Sequence, residues 1–162
     1  MAVRHHLIRR APRAVWSVLA DPTLYGEWVV GPSESVPIDP YWPEVGSRLR
    51  YTVRLGPWSV QGVTTVRHQE PGRELELEAA FKRLGTARIF LQLRPWGEET
   101  LVICDEHPLR GLGGALHNPV SEVALQIRHR GMLARLGRVV EERHGQQRGQ
   151  RHEERPGAAR RA

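Results

Sequence analysis

The chain is poor in several residue types and has no long hydrophobic run. It contains one cysteine, Cys104, one lysine, Lys82, and one asparagine, Asn118. A single cysteine excludes an internal disulfide and argues against an extracellular disulfide scaffold. No stretch approaches the roughly 20 apolar residues that a membrane helix needs, and the first ten residues lack the apolar core of a signal peptide. We therefore expect a cytoplasmic protein that does not insert into a membrane.

Arginine carries almost all of the positive charge, and it is concentrated at the end of the chain. The formal net charge is +6, but the segment 143–162 holds six arginines against two glutamates. The remaining chain is therefore close to neutral, so we expect no nucleic-acid partner. Gln, Arg, Gly and Pro without apolar periodicity predict that 143–162 is a basic disordered tail. The segment 1–142 has a suitable length for one domain.

Apolar residues alternate with polar ones through the middle of the chain. A period of two predicts strands with one dry and one wet face, which is typical of an antiparallel sheet exposed to water on one side. Short links with Gly and Pro join the strands and predict a meander of hairpins. The expected strands cover 3–9, 33–38, 47–55, 58–68, 73–81, 85–94 and 99–107.

Helices flank this run of strands. Pro12 suits the first turn of a short helix, and Asp21 can cap a second one over 22–28. A glycine-rich loop over 108–117 precedes a long helix over 119–142, which starts at Asn118 and Pro119. We expect the apolar stripe of this helix to contain Val120, Val123, Ile127, Met132, Ala134, Leu136 and Val140.

The order of elements predicts an α+β fold. A curved antiparallel sheet of six to seven strands wraps around the long C-terminal helix, with two short helices after the first strand. One helix about 10 Å across cannot seal the whole concave face, so a hollow between helix and sheet is expected.

Three segments resemble the START-like or SRPBCC superfamily, which includes the polyketide cyclase/dehydrase and lipid-transport group. Residues 11–21 are similar to its opening, where a proline-initiated helix carries a Val-Trp pair and ends at Asp. Tyr25 and Trp28 match an aromatic pair, and 43–46 match a turn before a strand. The resemblance implies the helix-grip fold and an apolar or aromatic ligand. It implies no shared catalytic constellation.

Strand parity predicts which side chains line the hollow. Tyr51, Trp58 and Thr64 belong to one inward set, and Trp28 and Tyr51 offer aromatic area with a polar handle. On the last strand, Leu101, Ile103, Asp105 and His107 share one face. If that face points inward, two titratable groups lie near the mouth of the hollow.

Asp105, Glu106 and His107 form the densest acid/base cluster, with His117 ten residues further on. One interpretation has Asp105 orient the His107 imidazole for proton transfer, which makes these two the candidate catalytic residues. The alternative is structural, with the acids capping loop amides and His107 packed before Pro108. Two histidines and a carboxylate could also bind a metal, but this spacing matches no established ligand set, so we predict no metal.

The loop after the last strand is interpreted as a lid, with Arg110 available to an anionic group on the ligand. We predict no cofactor, and the oligomeric state does not follow from the sequence. The candidate ligand-binding residues are Trp28, Tyr51, Trp58, Thr64, Asp105, His107, Arg110, His117 and Met132.

Three functions remain open. The first is a binding protein for a small hydrophobic or aromatic molecule, lipid- or polyketide-like, held between the sheet and the C-terminal helix. The second is an aromatase/cyclase- or dehydrase-like enzyme that acts on a polyketide-type substrate in the same cavity. The third is a protein-interaction module that uses the basic tail.

Overall fold

The computed structural model describes residues 2–55, 57–81, 85–110 and 131–145, with the backbone alone at 2, 33, 55, 58, 60, 81, 85 and 107–110. Three helical segments and seven strands make up these ranges. The helices are α1 (Pro12–Leu19), α2 (Tyr25–Trp28) and α3, whose described part is 131–145; a 3-10 turn (Pro22–Leu24) precedes α2. The strands are β1 (Ala2–Ile8), β2 (Pro32–Pro37), β3 (Arg48–Leu55), β4 (Trp58–Glu70), β5 (Glu74–Phe81), β6 (Gly85–Trp96) and β7 (Glu99–Arg110).

The seven strands form one antiparallel sheet in the order β1-β7-β6-β5-β4-β3-β2. The predicted meander is confirmed for β2 to β7, where each strand pairs with the next one in the sequence. β1 returns to pair with β7, so β1 and β2 are the two edges. The α+β class, the sheet and the two short helical segments after β1 agree with the prediction.

Local sequence explains the two short helical segments. Pro12 occupies the first turn of α1, and Ala14, Val15, Val18 and Leu19 are its buried residues. The backbone N–H of Thr23 donates to Asp21 Oδ1 at 3.0 Å, which is the predicted cap. The pair Tyr25 and Trp28 follows immediately and is buried.

The helix α3 packs its apolar side chains into the molecule. Its buried hydrophobic residues are Met132, Leu133, Leu136, Val139 and Val140. Ala134 was predicted to belong to the apolar stripe, and that is wrong: it is exposed on the opposite side. Because each residue rotates by 100° around the helix axis, Ala134 points away from the buried stripe. Leu133 and Gly137 lie on the buried side together with Leu136 and Val140.

The end of α3 docks onto α1 and the 3-10 turn. Arg143 Nη1 lies 3.3 Å from Asp21 Oδ2, and His144 Nε2 lies 3.3 Å from Ser17 Oγ. The helix therefore continues to 145, three residues beyond the predicted boundary at 142. The rest of the predicted tail lies outside the described residues.

The concave face of the sheet carries the apolar rows predicted for the middle strands. Leu49 and Tyr51 on β3 face Thr64 and Gly62 on β4, and the row continues across β5 and β6. Its members at the centre of the core are Leu49, Tyr51, Val66, Leu75, Leu77, Ile89, Leu91 and Leu93, all buried.

The phase predicted for the last strand is wrong. β7 pairs Val102 with Leu93 and Cys104 with Leu91, so these two side chains continue the buried concave row. Leu101, Ile103 and Asp105 occupy the alternate, convex-face row, and His107 shares that row by backbone register. β7 also runs to Arg110, so the first three residues of the predicted loop over 108–117 are strand.

Ion pairs between neighbouring strands cover the convex face. Arg67 Nε lies 2.9 Å from Glu78 Oε2, and this hydrogen bond raises the pKa of Arg67. Arg88 Nε lies 3.1 Å from Glu76 Oε1. These charged rows keep the convex face solvated.

None of the helices in the described ranges is long and apolar enough to cross a membrane.

Candidate functional site

Tyr25 lies at the centre of an aromatic cluster under the concave face. Its ring centroid is 5.3 Å from that of Trp28 and 6.5 Å from that of Trp42, both in edge-on geometry. The Tyr51 ring lies 5.9 Å away in a tilted arrangement. Such pairs add to the stability gained from burial of apolar area, so the cluster stabilises the packing of α2 under the concave face of the sheet.

A buried hydroxyl pair ties α2 to the sheet. Tyr25 Oη and Thr64 Oγ1 lie 2.8 Å apart, and both residues are buried. Each hydroxyl satisfies part of the hydrogen-bonding need of the other, which lowers the cost of burying them. Thr64 therefore holds the aromatic cluster in register with β4.

Gly62 makes room for the Tyr51 ring. The two residues are directly opposite each other on β4 and β3, and a Cβ at Gly62 would collide with the Tyr51 Cζ and Oη atoms. An aromatic ring that covers a cross-strand glycine compensates for the missing side chain. The Tyr51 hydroxyl thereby reaches the Ala80 carbonyl oxygen, at 3.5 Å.

The Trp28 indole N–H is the polar group of the cluster that lacks an acceptor within the described parts of the chain. Its Nε1 is inaccessible to water, and the whole residue is only 1% exposed. A buried donor without a partner costs about 1–3 kcal/mol. The Trp28 indole N–H is therefore a hydrogen-bond donor of the cluster without an acceptor among the described residues.

Burial changes along the concave face. At the end that carries Ile8, Leu75 and Thr100 the side chains are sealed from water. At the other end the concave positions Arg4, Val53, Ala87 and Glu106 are all partly accessible. The concave side chains are thus more accessible at the end where β1 begins and β7 finishes.

With the phase of β7 corrected, a different acidic residue lies in the concave row at this end. Glu106, rather than Asp105, occupies the concave row, because it pairs with Ile89 on β6. Cys104, next in that row, has its pKa raised to about 12, first by burial and then by the Glu106 and Asp105 charges. It is therefore a neutral thiol without nucleophilic reactivity.

The predicted ligand-binding residues separate into three groups. Trp28, Tyr51, Thr64 and Met132 belong to the buried core beneath the concave face. Asp105 lies on the convex-face row. For Trp58, His107 and Arg110 the backbone alone is described, His117 lies outside the described ranges, and the roles of these four remain predictions.

The sequence analysis predicted no ligand-binding role for three residues of this region, Tyr25, Arg4 and Glu106. Tyr25 was noticed as half of an aromatic pair but not as the centre of the cluster. Glu106 was part of the acid/base cluster, but it was assigned to the outer face because both faces of the last strand are apolar, and no sequence pattern distinguishes Arg4 from the other residues of β1. Among the described side chains, no three His, Cys, Asp or Glu residues come close enough together to hold a metal ion.

Comparison with known proteins identifies the architecture. No protein-family model and no curated protein sequence matches the chain. Among solved structures, the Zhui aromatase/cyclase from Streptomyces sp. R1128 is similar over 88% of this chain and 93% of its own, with a TM-score of 0.68 and 14% identity. Ara h 8.0201 is similar over 87% and 97%, with a TM-score of 0.70 and 8% identity. The fold is the helix-grip.

A third helix-grip structure is DynU16, from the dynemicin biosynthetic locus, with a TM-score of 0.62 and 18% identity. The match covers 86% of this chain but 46% of DynU16. Because identities at this level establish the fold alone, the function has to be argued from the residues of this chain.

Proposed function

We propose that the protein binds a small hydrophobic or aromatic molecule between the concave face of the sheet and the C-terminal helix. The observation that carries this proposal is the change in burial along the concave face. Val53 and Ala87 continue the apolar rows, yet they are partly accessible, whereas their row neighbours Tyr51 and Ile89 are sealed. Apolar area left uncovered inside a concave face is typical of a ligand site.

The aromatic cluster suits the floor of such a site. Tyr51 and Trp28 present aromatic rings toward the same core, and the Trp28 N–H has no acceptor among the described residues. A ketone or hydroxyl oxygen on the ligand would satisfy that donor once the cluster opens to admit it. This favours an oxygen-bearing aromatic ligand over a plain hydrocarbon.

The comparisons support the same class of ligand without identifying it. One structure of this fold is an aromatase/cyclase, and another comes from the biosynthetic locus of dynemicin. For a cyclase activity in this chain, Asp105 was the expected orienting carboxylate, but it lies on the convex-face row. Binding without turnover is therefore the function that the described geometry favours.

The test is titration with N-phenyl-1-naphthylamine, a neutral apolar dye whose fluorescence rises on transfer from water to an apolar site. We expect saturable binding to the wild type. Ala87→Trp should abolish it, because the indole would fill the open end of the concave face. Arg94→Trp adds the same side chain to the exposed convex side of the same strand and should leave binding unchanged.

Absence of dye binding to the folded wild type would contradict the proposal, because it would mean that the hollow is filled core. Equal binding by both tryptophan variants would also contradict it, since the dye would then occupy another part of the surface. Thermal melting of both variants controls for loss of the fold.

A further inference from the structure

A second concavity lies beside the sheet edge, outside the aromatic cluster. It is a groove of about 340 Å³ between β1 and α3, lined by Val3, Arg4, His5, His6 and Leu133. This volume falls at the lower end of small-molecule sites. Nothing in the proposed function uses the four consecutive β1 residues that form its wall.

Glycine lets the helix approach β1 closely at one end of the groove. A Cβ at Gly137 would lie 3.1 Å from His6 Nε2 and 3.6 Å from Ile8 Cγ1, so the His6 ring packs against the helix backbone. One turn earlier in the helix, the apolar side chain of Leu133 lines the groove. The groove therefore has an apolar helix wall and a basic strand wall.

Arg4 is the unusual residue of the basic wall. Its Nε is shielded from water and has no hydrogen-bond partner within the described ranges. No carboxylate in those ranges lies within 4.0 Å of its guanidinium, although Glu106 is its diagonal neighbour on the same face of β7. Buried N–H donors are normally hydrogen-bonded, so the Arg4 Nε–H in this groove is a donor that an oxygen of a ligand can satisfy.

We infer that the groove binds the anionic head group of an amphipathic small molecule. The Arg4 guanidinium donates to a carboxylate or phosphate oxygen, His6, on the same face of β1, offers a further ring nitrogen, and Leu133 contacts the apolar body. A planar fork of donors suits either head group. The inference rests on the proposed function, because Arg4 lies in the concave row at its partly accessible end, and it specifies the ligand class as anionic.

The experiment compares dodecanoate, dodecyl phosphate and dodecanol by isothermal titration calorimetry. The wild type should bind at least one of the two anions about tenfold or more tightly than dodecanol. Arg4→Gln should remove that preference and leave dodecanol affinity unchanged. Arg94→Gln, which removes an exposed arginine from the convex side, is the matched control and should behave as the wild type.

Stability gives a second readout. Because Arg4 has no ion-pair partner among the described residues, Arg4→Gln should melt at or above the wild-type temperature without ligand. Dodecanoate or dodecyl phosphate should raise the melting temperature of the wild type and not that of Arg4→Gln. The anion with the larger effect identifies the head group.

Three results would overturn the inference. Equal affinity of the wild type for dodecanol and both anions would exclude a charged head group while leaving the apolar site in place. Displacement of bound dodecanoate by a hexaglutamate peptide would indicate an acidic protein partner instead. No binding of any of the three compounds would contradict both the inference and the proposed function.

Discussion

At the scale of single residues, burial decides which groups can act chemically. Cys104 lies between Val102 and Glu106 in the concave row, and its thiol pKa is raised to about 12. The unfolded thiol titrates near 9. Below that pH both states keep the proton and ionisation does not affect stability. Between about 9 and about 12 only the unfolded state loses it, so stability falls as pH rises.

We therefore expect the free energy of unfolding to decrease by up to ~1.4 kcal/mol per pH unit above about pH 9 through this one group. Cys104→Ala should lack that part of the decrease. Urea unfolding of both proteins at pH 8, 9 and 10 measures it. Identical pH dependence in the two, or rapid alkylation of the folded wild type by iodoacetamide at pH 8, would show that the thiol is not buried as described.

Residue-level prediction succeeded where alternation was strict and failed where it was not. Tyr51 and Thr64 could be placed from parity alone, because their strands have one clearly polar face. Asp105 could not, because Leu101 and Ile103 on one face of β7 are as apolar as Val102 and Cys104 on the other. Pairing with β6 determines which row is buried, and the sequence of β7 alone does not predict the register of that pairing.

At the scale of elements, the contact between α3 and β1 depends on a residue without a side chain. Gly137→Leu should force its side chain into His6 and Ile8 and destabilise the protein by about 1–3 kcal/mol. Ala134→Leu, on the exposed side of the same helix, should change stability by no more than about 0.5 kcal/mol. Urea midpoints at constant m-value provide the measurement.

If Gly137→Leu were as stable as the wild type, α3 would not pack against β1 as described, and the groove beside Arg4 would lose its helix wall.

The secondary-structure elements themselves were largely predictable from the sequence. Each predicted strand corresponds to an observed one, since turn residues interrupt the alternation at nearly every hairpin. The helix phase was less certain, because Ala134 fits an apolar stripe by composition but not by rotation around the axis.

At the scale of the whole molecule, the C-terminal segment divides into a docked part and a basic remainder. We expect a chain truncated after 145 to bind N-phenyl-1-naphthylamine as the full chain does, because the proposed site uses no residue beyond α3. A chain truncated after 142 loses the contacts of Arg143 with Asp21 and of His144 with Ser17. These partly exposed contacts contribute about 0.2–1 kcal/mol, so its melting temperature should be slightly lower.

Loss of dye binding on truncation after 145 would instead favour a role for the basic tail in ligand capture. It would also revive the interaction-module hypothesis. The difference between the two truncated chains separates that outcome from simple fraying of α3.

The sequence by itself determined the class of the molecule. Period-two alternation, hairpin residues and one amphipathic helix leave few arrangements other than a sheet wrapped around a helix, because each dry face must be covered. The tertiary structure alone decided what the concave face presents: Glu106 in place of Asp105, Tyr51 folded over Gly62, and Arg4 beside Leu133. Those relations join residues far apart in the chain through strand register and helix rotation, and a local pattern contains neither.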